Sequence, residues 1–359
     1  MFKVFAIIML VVFGLSGYVC WHLWRMAPAM CYAKPVVAGI FLLWMLTALG
    51  GFFVMEFLSV KAATVLYEVG NTWFVAFLYL FILFFLADIL SLCHLLPKTF
   101  LKDNAAGLLA FVLLIAVAMI YGGFRYHHKY REDLTITTSK IEKPLTIVLA
   151  SDLHVGYHNR KKELARWVDM INAENPDLVL IGGDIIDTSL RPVLKGNYAE
   201  EFRRIKAPVW TVLGNHEYIN NVAQAERFFK DTGIVLLKDS VAHFAGVDVI
   251  GRNDRTAKRR ASLSDLATGL QGFSILLDHQ PYNLEEAEQA GIDFQFSGHT
   301  HRGQVWPVSW ITDAMYEKSW GHHQRGNTRY YISSGLGIWG PKIRIGTRSE
   351  YLVLHLNKQ

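Results

Sequence analysis

The chain has 359 residues, of which 52% are hydrophobic and 19% are charged, and its mean hydropathy is +0.22. It is too apolar for an ordinary soluble protein and too charged to lie in a membrane throughout, so we expect a membrane part and a globular part. The net charge of +5 gives no reason to expect a nucleic-acid partner. All three cysteines, Cys20, Cys31 and Cys93, lie in the apolar first third, so the remainder has neither a disulfide nor a cysteine nucleophile.

Four apolar stretches fill the first third, and each approaches or reaches the roughly 20 residues that a membrane-spanning helix needs. They cover residues 5–24, 36–57, 73–96 and 105–121. Helices of soluble proteins are rarely apolar all round, so the sequence predicts a four-helix transmembrane region. The alternative for the first stretch is a signal peptide, because Lys3 precedes the apolar core and Ala27-Pro28-Ala29 is an acceptable cleavage pattern.

The cations that flank these stretches predict the orientation in the membrane. Four spans place on one side Lys3, Lys61, Arg125, Lys129 and Arg131, and on the other Arg25, Lys34, Lys98 and Lys102. By the positive-inside rule we expect a multi-pass protein of the cell (inner) membrane whose C-terminal part lies on the cytoplasmic side.

One carboxylate, Asp88, interrupts the third apolar stretch. A charge within a membrane is costly, and such groups usually face the interior of the helix bundle. Asp88 therefore either forms a polar pair with a neighbouring helix or marks a functional site.

The composition changes after Gly123. Residues 125–133 are basic and polar, which predicts a linker lying against lipid headgroups. From Leu134 onward short strand patterns alternate with helical ones, including helices predicted over residues 161–173, 222–232 and 283–290. We therefore expect a membrane domain over residues 1–124 and an α/β domain over residues 125–359.

Five apolar strand-like runs of the α/β domain each end in residue types that bind metals. The runs lead into Asp152 and His154, into Asp184 and Asp187, into Asn215, His216 and Glu217, into His279, and into His299 and His301. Carboxyl ends of strands in a buried sheet collect at one edge, so we expect these side chains to converge. Carboxylates, imidazoles and one amide suit Mn, Zn or Fe. Two such ions about 3.5–4 Å apart would clamp a phosphoryl group, which makes phosphate esters the natural substrate.

In this order the residues resemble the calcineurin-like metallophosphoesterase superfamily, in particular its bacterial membrane-associated phosphodiesterase branch. The pattern Asp-x-His, Gly-Asp-x-x-Asp, Gly-Asn-His-Glu, a single His and Gly-His-x-His is complete between Asp152 and His301. The resemblance covers the chain from about Leu134 to the end and does not reach the apolar stretches. It implies an α/β fold class in which the transmembrane helices are followed by a metallophosphoesterase α/β/β/α sandwich.

The resemblance also implies a role for each position of the pattern. One of two divalent metal ions would be bound by Asp152, His154 and His301, and the other by Asn215, His279 and His299, with Asp184 bridging them. His216 would be catalytic, touching the phosphate or protonating the leaving oxygen, and Asp187 and Glu217 would orient the ligands. Arg302 departs from the branch, which usually has glycine there, and it is either a binding group for a second phosphate or a solvated loop charge.

Two further stretches have two interpretations each. Residues 305–320 include Trp306, Trp310, Tyr316 and Trp320 with few charges, which is typical either of a surface at the membrane interface or of a loop packed on its own domain. A basic cluster consists of Arg252, Arg255, Lys258, Arg259 and Arg260. It either binds phosphate headgroups or is a solvated run of charges.

The sequence thus predicts a membrane-anchored, metal-dependent hydrolase of a phosphodiester or pyrophosphate, in particular one carried by a lipid or an envelope precursor. The bilayer and the phosphate ester are the expected partners, and no oligomeric state is predicted. The alternatives are an anchored nucleotide or nucleic-acid phosphodiesterase, and a non-catalytic membrane sensor or scaffold. No P-loop and no Gly-x-Ser-x-Gly motif is present, so nucleotide binding through a phosphate loop and acyl transfer are not expected.

Overall fold

A computed structural model describes residues 2–30 and 32–359 of the chain. Its contacts divide the chain into two compact units, a first one that ends at Gly122 and a second one of Gly123–Gln359. Each unit is described by itself.

The first unit consists of long apolar helices. They are α1 (Phe2–Met26), α2 (Ala33–Val54), α3 (Val60–Leu92) and α4 (Ala105–His127), with 3-10 turns at Met55–Phe57 and Lys98–Leu101. The Ser59 side chain accepts the Ala62 N–H and so caps the start of α3. Phe41, Trp73 and Phe84 are buried between the helices.

Three of the described helical stretches are long and apolar enough to cross a membrane, namely Ala33–Phe57, Val60–Leu92 and Ala105–His127. The predicted span at residues 5–24 lies on α1, where the side chains of residues 2–6 and 8 are outside the described part, so the fourth span stays a prediction. The predicted start of the third span at residue 73 is wrong. Because Ser59 caps it, α3 begins at Val60, and it includes the charged residues Lys61 and Glu68.

Asp88 on α3 has polar partners on α1. The Tyr18 hydroxyl donates to Asp88 Oδ2 at 2.5 Å, and His22 Nε2 lies 3.0 Å from the same oxygen. These contacts support the interpretation of Asp88 as part of a polar pair with a neighbouring helix.

The second unit is built on two six-stranded sheets. The first sheet, in the order β1-β12-β2-β3-β4-β5, contains β1 (Lys129–Thr138), β2 (Leu145–Ala150), β3 (Leu178–Ile181), β4 (Val209–Thr211), β5 (Val235–Leu236) and β12 (Ser349–Lys358). The second sheet, in the order β10-β11-β9-β8-β7-β6, contains β6 (Ser240–Phe244), β7 (Val247–Gly251), β8 (Phe273–Leu277), β9 (Phe294–Ser297), β10 (Gly321–Arg325) and β11 (Thr328–Ile332).

The second unit also contains eight α-helices in its described residues. They are α5 (Lys161–Ala173), α6 (Arg191–Lys195), α7 (Ala199–Phe202), α8 (Asn215–Asn220), α9 (Val222–Thr232), α10 (Leu263–Leu266), α11 (Glu285–Gln289) and α12 (Val308–Met315). One core lies between the sheets, where Leu149 and Leu180 meet Ile275 and Phe296. A second packs α5 and α9 on the first sheet, and a third packs α10 and α11 on the second. The predicted α/β/β/α sandwich is thereby confirmed.

Several predicted elements need correction. The linker expected at residues 125–133 is wrong, because α4 continues to His127 and β1 starts at Lys129. β1 is an edge strand that pairs only with β12, and an edge strand tolerates the polar residues that suggested a linker. The helices predicted at 161–173 and 222–232 are present with those bounds. The helix predicted at 283–290 covers only Glu285–Gln289, and Leu284, not Asn283, is its N-cap.

Candidate metal centre

The predicted site residues lie beyond the ends of five strands. In the first sheet β2, β3 and β4 are parallel neighbours, and in the second sheet β8 and β9 are, so within each sheet these strands end at the same edge. Six of the residues have a positive φ, a conformation that costs free energy for any residue except glycine: Asp152, His154, Asp184, His299, His301 and Arg302. Such strain clusters at functional sites.

Asp152, His154 and His301 form one compact group of donor atoms, all within 4.8 Å of one another. Asp152 Oδ1 lies 3.7 Å from His154 Nε2 and 3.4 Å from His301 Nε2. The two Nε2 atoms are 3.2 Å apart. Asp152 also accepts the backbone N–H of His299 at 3.1 Å, which joins the loop after β2 to the loop after β9.

Asp184, His279 and His299 form a second group, and Asn215 lies against both histidines. Asp184 Oδ2 is 3.0 Å from His279 Nε2. Asn215 Oδ1 is 3.2 Å from His279 Nε2 and 2.7 Å from His299 Nδ1. His279 Nδ1 lies 2.7 Å from the carbonyl oxygen of Gly182. A carbonyl only accepts, so Nδ1 carries the proton and Nε2 is the atom available as a ligand.

Asp184 lies between the two groups, since it also forms a third set with His154 and His216. Its Oδ2 is 3.8 Å from His154 Nε2, and its Oδ1 accepts the backbone N–H of His216 at 2.8 Å. This central position is the one that a bridging carboxylate would need.

His216 lies at the more open side of the cluster. Its ring is perpendicular to that of His154, with centroids 4.5 Å apart, and its Nδ1 is 3.5 Å from Asp187 Oδ1. Whereas Asp152, His154, Asp184, His279 and His301 are buried, Asn215, His216 and His299 are half-buried. The cluster therefore opens to solvent through these three side chains.

Two buried carboxylates hold the surrounding loops. Asp187 lies 3.3 Å from His154 Nδ1 and 3.6 Å from His158 Nδ1, besides its contact with His216. Glu217 accepts backbone N–H groups from Gly214 at 2.8 Å, Asp184 at 3.2 Å and Ile186 at 2.9 Å. Because it binds the loops after β3 and β4 together, Glu217 fixes the backbone of Asp184.

The electrostatics of the cluster fit a metal cation. Burial opposes ionisation of Asp152, but the nearby imidazoles of His301 and His154 outweigh it, so the pKa of Asp152 stays below its usual range. Burial lowers the pKa of His299 to about 4 and that of His301 well below its usual value, so both are neutral. The neighbouring carboxylates outweigh burial at the other two histidines and raise the pKa of His154 to about 10 and that of His279 well above its usual value. A cation bound here would displace the extra protons of those two imidazoles. In the described part of the chain, the ionic partners of Asp152 and Asp184 are histidines. Buried carboxylates of this kind are paired or coordinate metals.

Two members of the basic cluster, Arg252 and Arg260, pair with carboxylates of the same domain. Arg252 lies 3.4 Å from Asp278 and 2.6 Å from Glu286, and Arg260 also pairs with Asp278. Arg255 stacks over the ring of Tyr282 at 4.7 Å. Both interpretations of the cluster are therefore wrong for Arg252 and Arg260, which hold Asp278 directly beside His279.

Sequence reasoning missed a supporting loop between β11 and β12. The backbone N–H groups of Leu336 and Gly337 donate to the carbonyls of Ser151 and Asp152 at 2.9 and 3.0 Å. A Cβ on Gly337 would lie 2.1 Å from the Leu153 carbonyl, so only glycine fits there. The one signal in the sequence is the pair of glycines in Gly335-Leu336-Gly337.

Arg344 is the second omission. It is completely buried, and its guanidinium donates to the carbonyls of His301 at 3.2 Å, Ser334 at 2.5 Å and Gly337 at 2.9 Å. It therefore joins the loop after β9 to the supporting loop. A single arginine in an irregular segment has no pattern that would distinguish it from a surface charge.

Each of the two interpretations of residues 305–320 holds for part of the stretch. Trp306 and Trp310 are exposed, whereas Tyr316 is buried and its hydroxyl lies 3.1 Å from that of Tyr282, which donates to it. Trp320 is half-buried and donates its indole N–H to Glu350 at 2.8 Å. The guanidinium of Arg302 stacks over Trp320 at 4.2 Å from the ring centroid, which keeps this cation beside the loop of His301.

A two-sheet α/β sandwich with carboxylates and histidines collected at one edge defines the metallophosphoesterase class. Residues 145–303 match the family model of the calcineurin-like phosphoesterases. The chain therefore carries a domain of this family, and the family resemblance of the sequence motifs is confirmed.

Relatives of this chain occur in bacteria and animals. It is 29% identical over 257 residues to an uncharacterized metallophosphoesterase of Campylobacter jejuni, covering 68% of both chains. It is 29% identical over 268 residues to a transmembrane protein with metallophosphoesterase domain from Danio rerio, covering 67% of this chain and 60% of the relative. A 5'-nucleotidase precursor from Thermus thermophilus is 14% identical with a TM-score of 0.36, over 59% of this chain and 55% of that one, a likeness too distant to carry an argument. The chain thus spans only part of each of these proteins.

Proposed function

We propose that this protein is a membrane-anchored hydrolase of a phosphodiester or pyrophosphate and that it uses two divalent metal ions. The observation that carries the proposal is the position of Asp184, which lies within reach of both His154 and His279 and belongs to two sets of candidate ligands. Two ligand groups that share one carboxylate are what a two-metal phosphoesterase needs.

The donor set assigns ligands to each ion. Asp152, His154 and His301 would hold the first, Asn215, His279 and His299 the second, and Asp184 would touch both. Nitrogen and oxygen donors suit Mn, Zn or Fe, with manganese as our first choice. When bound, the two ions would polarise the phosphoryl group and activate water for attack.

The remaining chemistry falls to side chains of the chain itself. With Nδ1 turned toward Asp187, the Nε2 edge of His216 is available to protonate the leaving oxygen. General acid catalysis of this kind is worth roughly 10² to 10⁴ in rate. Asp187 and Glu217 would act as positioning residues for His154, His216 and Asp184. Arg302, held against Trp320, would bind a second phosphate group of a pyrophosphate substrate.

The location follows from the apolar helices. We place a membrane domain at residues 1–124 and the hydrolase domain at residues 125–359, in the cell (inner) membrane with the hydrolase domain on the cytoplasmic side. Three candidate spans are more than a tether needs. This supports a substrate that is itself a lipid or an envelope precursor.

The test uses purified full-length protein in detergent, stripped of metal by a chelator and then supplied with Mn, Zn or Fe(II) separately. Phospholipid diesters, nucleotide-sugar pyrophosphates and nucleotide esters are offered to each form. We expect metal-restored hydrolysis of an amphiphilic diester or pyrophosphate. Preference for water-soluble nucleotide esters would instead identify an anchored nucleotide phosphodiesterase. Stoichiometric metal binding with no turnover of any ester would point to a sensor or scaffold and overturn the proposal.

A further inference from the structure

The helix α12 presents its apolar side to the outside. Trp310, Ile311 and Met315 are exposed, while Ser309 is buried and Thr312 is half-buried. Trp306 precedes the helix and packs edge-on against Trp310, with ring centroids 5.3 Å apart. A helix on a globular domain normally turns its apolar side to the core, and contiguous exposed apolar residues mark a site of interaction. We call Trp306, Trp310, Ile311 and Met315 the α12 face.

The helix α12 lies beside the opening of the metal centre, with the α12 face on its outer side. The backbone turn at His301–Gly303 leads into it, and a Cβ on Gly303 would lie 2.5 Å from the Val308 backbone, so α12 packs directly on this turn. Tyr316, at the other end of the helix, has its ring centroid 6.3 Å from that of His299. Since His299 is one of the half-buried residues at the opening of the cluster, α12 forms one side of that opening.

A single loop, residues 335–346, connects the α12 face to the end of α4. The Gln304 amide donates to the carbonyls of Trp339 at 3.2 Å and Pro341 at 3.1 Å, and the Trp306 N–H donates to that of Ile345 at 2.7 Å. On its other side, Asn159 donates to the Ile338 carbonyl at 2.9 Å and accepts from the Tyr126 hydroxyl.

Tyr126 lies in the last turn of α4, and this turn belongs to the second unit. Gly123 also approaches the loop, at the carbonyl of Lys342. The α12 face and the end of an apolar helix long enough to cross a membrane therefore share one loop. Trp339 on that loop is exposed as well.

We propose that the α12 face inserts into the headgroup layer of the bilayer that holds α4, so that the metal centre opens toward the membrane surface. Tryptophan prefers this layer because one part of the ring is apolar and the other polar. Only one residue separates α4 from β1, so the linkage between the apolar helix and the first sheet is short. The proposal deepens the proposed function and rests on it in one respect: it defines the substrate as an amphiphile whose acyl chains stay in the bilayer during hydrolysis.

The first test measures insertion without using activity. Cys20, Cys31 and Cys93 are replaced by serine in the full-length protein, a single cysteine is introduced by Met315→Cys or Leu194→Cys, and each is labelled with an environment-sensitive fluorophore in phospholipid nanodiscs. Both positions are apolar, lie in the second unit and are 59% exposed, so Leu194 is the matched control. Brominated lipids should quench the label at position 315 at least about threefold more than the label at 194.

Three results of this test would overturn the proposal. Equal quenching at the two positions would mean that α12 is not at the bilayer. Protection of the label at 315 that grows with protein concentration in detergent, without lipid quenching, would assign the α12 face to a second copy of the chain. The test is repeated with Ile311→Cys, in case the change at position 315 disturbs the helix locally. Absence of quenching at both 311 and 315 rules insertion out.

The second test measures the consequence for substrate entry. The double variant Trp306→Ser, Trp310→Ser should raise KM for an amphiphilic phosphodiester in mixed micelles by about tenfold or more, because two large apolar side chains no longer enter the lipid. Hydrolysis of a small water-soluble phosphodiester should stay within about twofold. Equal losses on both substrates would make the tryptophans part of the fold and overturn the proposal.

The two tests also separate this proposal from the proposed function. Quenching at position 315 in a protein that hydrolyses no ester would leave insertion standing and remove the hydrolase. Metal-dependent hydrolysis without quenching at position 315 would leave the hydrolase standing and remove insertion.

Discussion

The two sheets bring different chemistry to the candidate metal centre. The strands of the first sheet lead into every buried carboxylate of the cluster, namely Asp152, Asp184, Asp187 and Glu217, whereas the second sheet contributes only the imidazoles of His279, His299 and His301. Asp152, Asp184 and Glu217 accept backbone N–H groups, and Glu217 accepts three of them. We infer that the first sheet supplies the charge that attracts cations and the second supplies neutral donors that complete their coordination.

The largest effect should come from removing a carboxylate charge that the first sheet supplies. Asp184→Asn removes the charge shared by the two ligand groups, while His299→Gln removes one neutral donor. Electrostatic stabilisation by metal ions is worth several kcal/mol, and about 1.36 kcal/mol corresponds to a factor of ten. Asp184→Asn should therefore lower turnover by about a thousandfold or more and leave fewer than two ions per chain, measured by plasma mass spectrometry. His299→Gln should lose less.

Two outcomes would count against this prediction. Full metal content with normal turnover in Asp184→Asn would exclude a two-metal centre that depends on this carboxylate. A greater loss in His299→Gln than in Asp184→Asn would contradict the division of roles between the sheets.

The next largest effect separates metal binding from proton transfer, two roles that we assign to different residues after the strands of the first sheet. His216→Ala should retain its metals and lose roughly 10² to 10⁴ in rate on an ester with a poor leaving group. The loss should be smaller on an activated aryl phosphodiester, because its leaving group needs no proton. Loss of metal would place His216 among the ligands, a role that its position near His154 and Asp184 also permits.

Sequence reasoning found the residues that the structure brings together but missed those that support them, and the reason is physical. Each candidate ligand comes soon after a short apolar run, so the strand that positions it is its neighbour in the sequence. Ala150, for example, ends β2 just before Asp152 and His154. Arg344 and Gly337 act through carbonyl groups of distant residues. Such contacts leave no periodicity in the sequence, and only the folded chain brings the partners together.

The difference between apolar runs, which are visible in the sequence, and distant contacts, which are not, also explains the errors in the predicted fold. The apolar runs that lead into Asp152, Asp184 and His279 are the strands β2, β3 and β8, because burial on both faces demands a continuous apolar run. β1 was mistaken for a linker because an edge strand has one paired side and tolerates charges such as Arg131 and Asp133. The outward orientation of α12 could not be predicted from the sequence, because the apolar side of a helix normally faces the core of its domain.

A smaller effect is expected from the carboxylate that holds the loops without touching a candidate ligand side chain. Glu217→Gln replaces one accepting oxygen by an NH₂ group, which would face a backbone N–H of Gly214, Asp184 or Ile186. Outer partners of metal ligands typically contribute roughly 10- to 100-fold to affinity or activity. We expect a loss in that range in a metal titration. The exposed Glu226→Gln serves as the control, and an equal effect of both changes would contradict a positioning role for Glu217.

The smallest effect concerns a side chain that joins the two contributions through backbone carbonyls. Arg344 donates to the carbonyl of His301, which belongs to the second sheet's loop, and to the carbonyl of Gly337, whose N–H in turn holds Asp152 of the first sheet's loop. Arg344→Lys keeps the charge but cannot reach all of these acceptors, and each buried carbonyl left unsatisfied costs about 1–3 kcal/mol. We expect a lower melting temperature and a metal affinity reduced several-fold, with the affinity of both ions falling together because both loops move. Arg203→Lys, which alters an exposed arginine bound to the Asp231 carbonyl, should change neither quantity. If Arg344→Lys lowers stability but leaves metal affinity intact, the sheets position their ligands independently, and Arg344 supports only the fold.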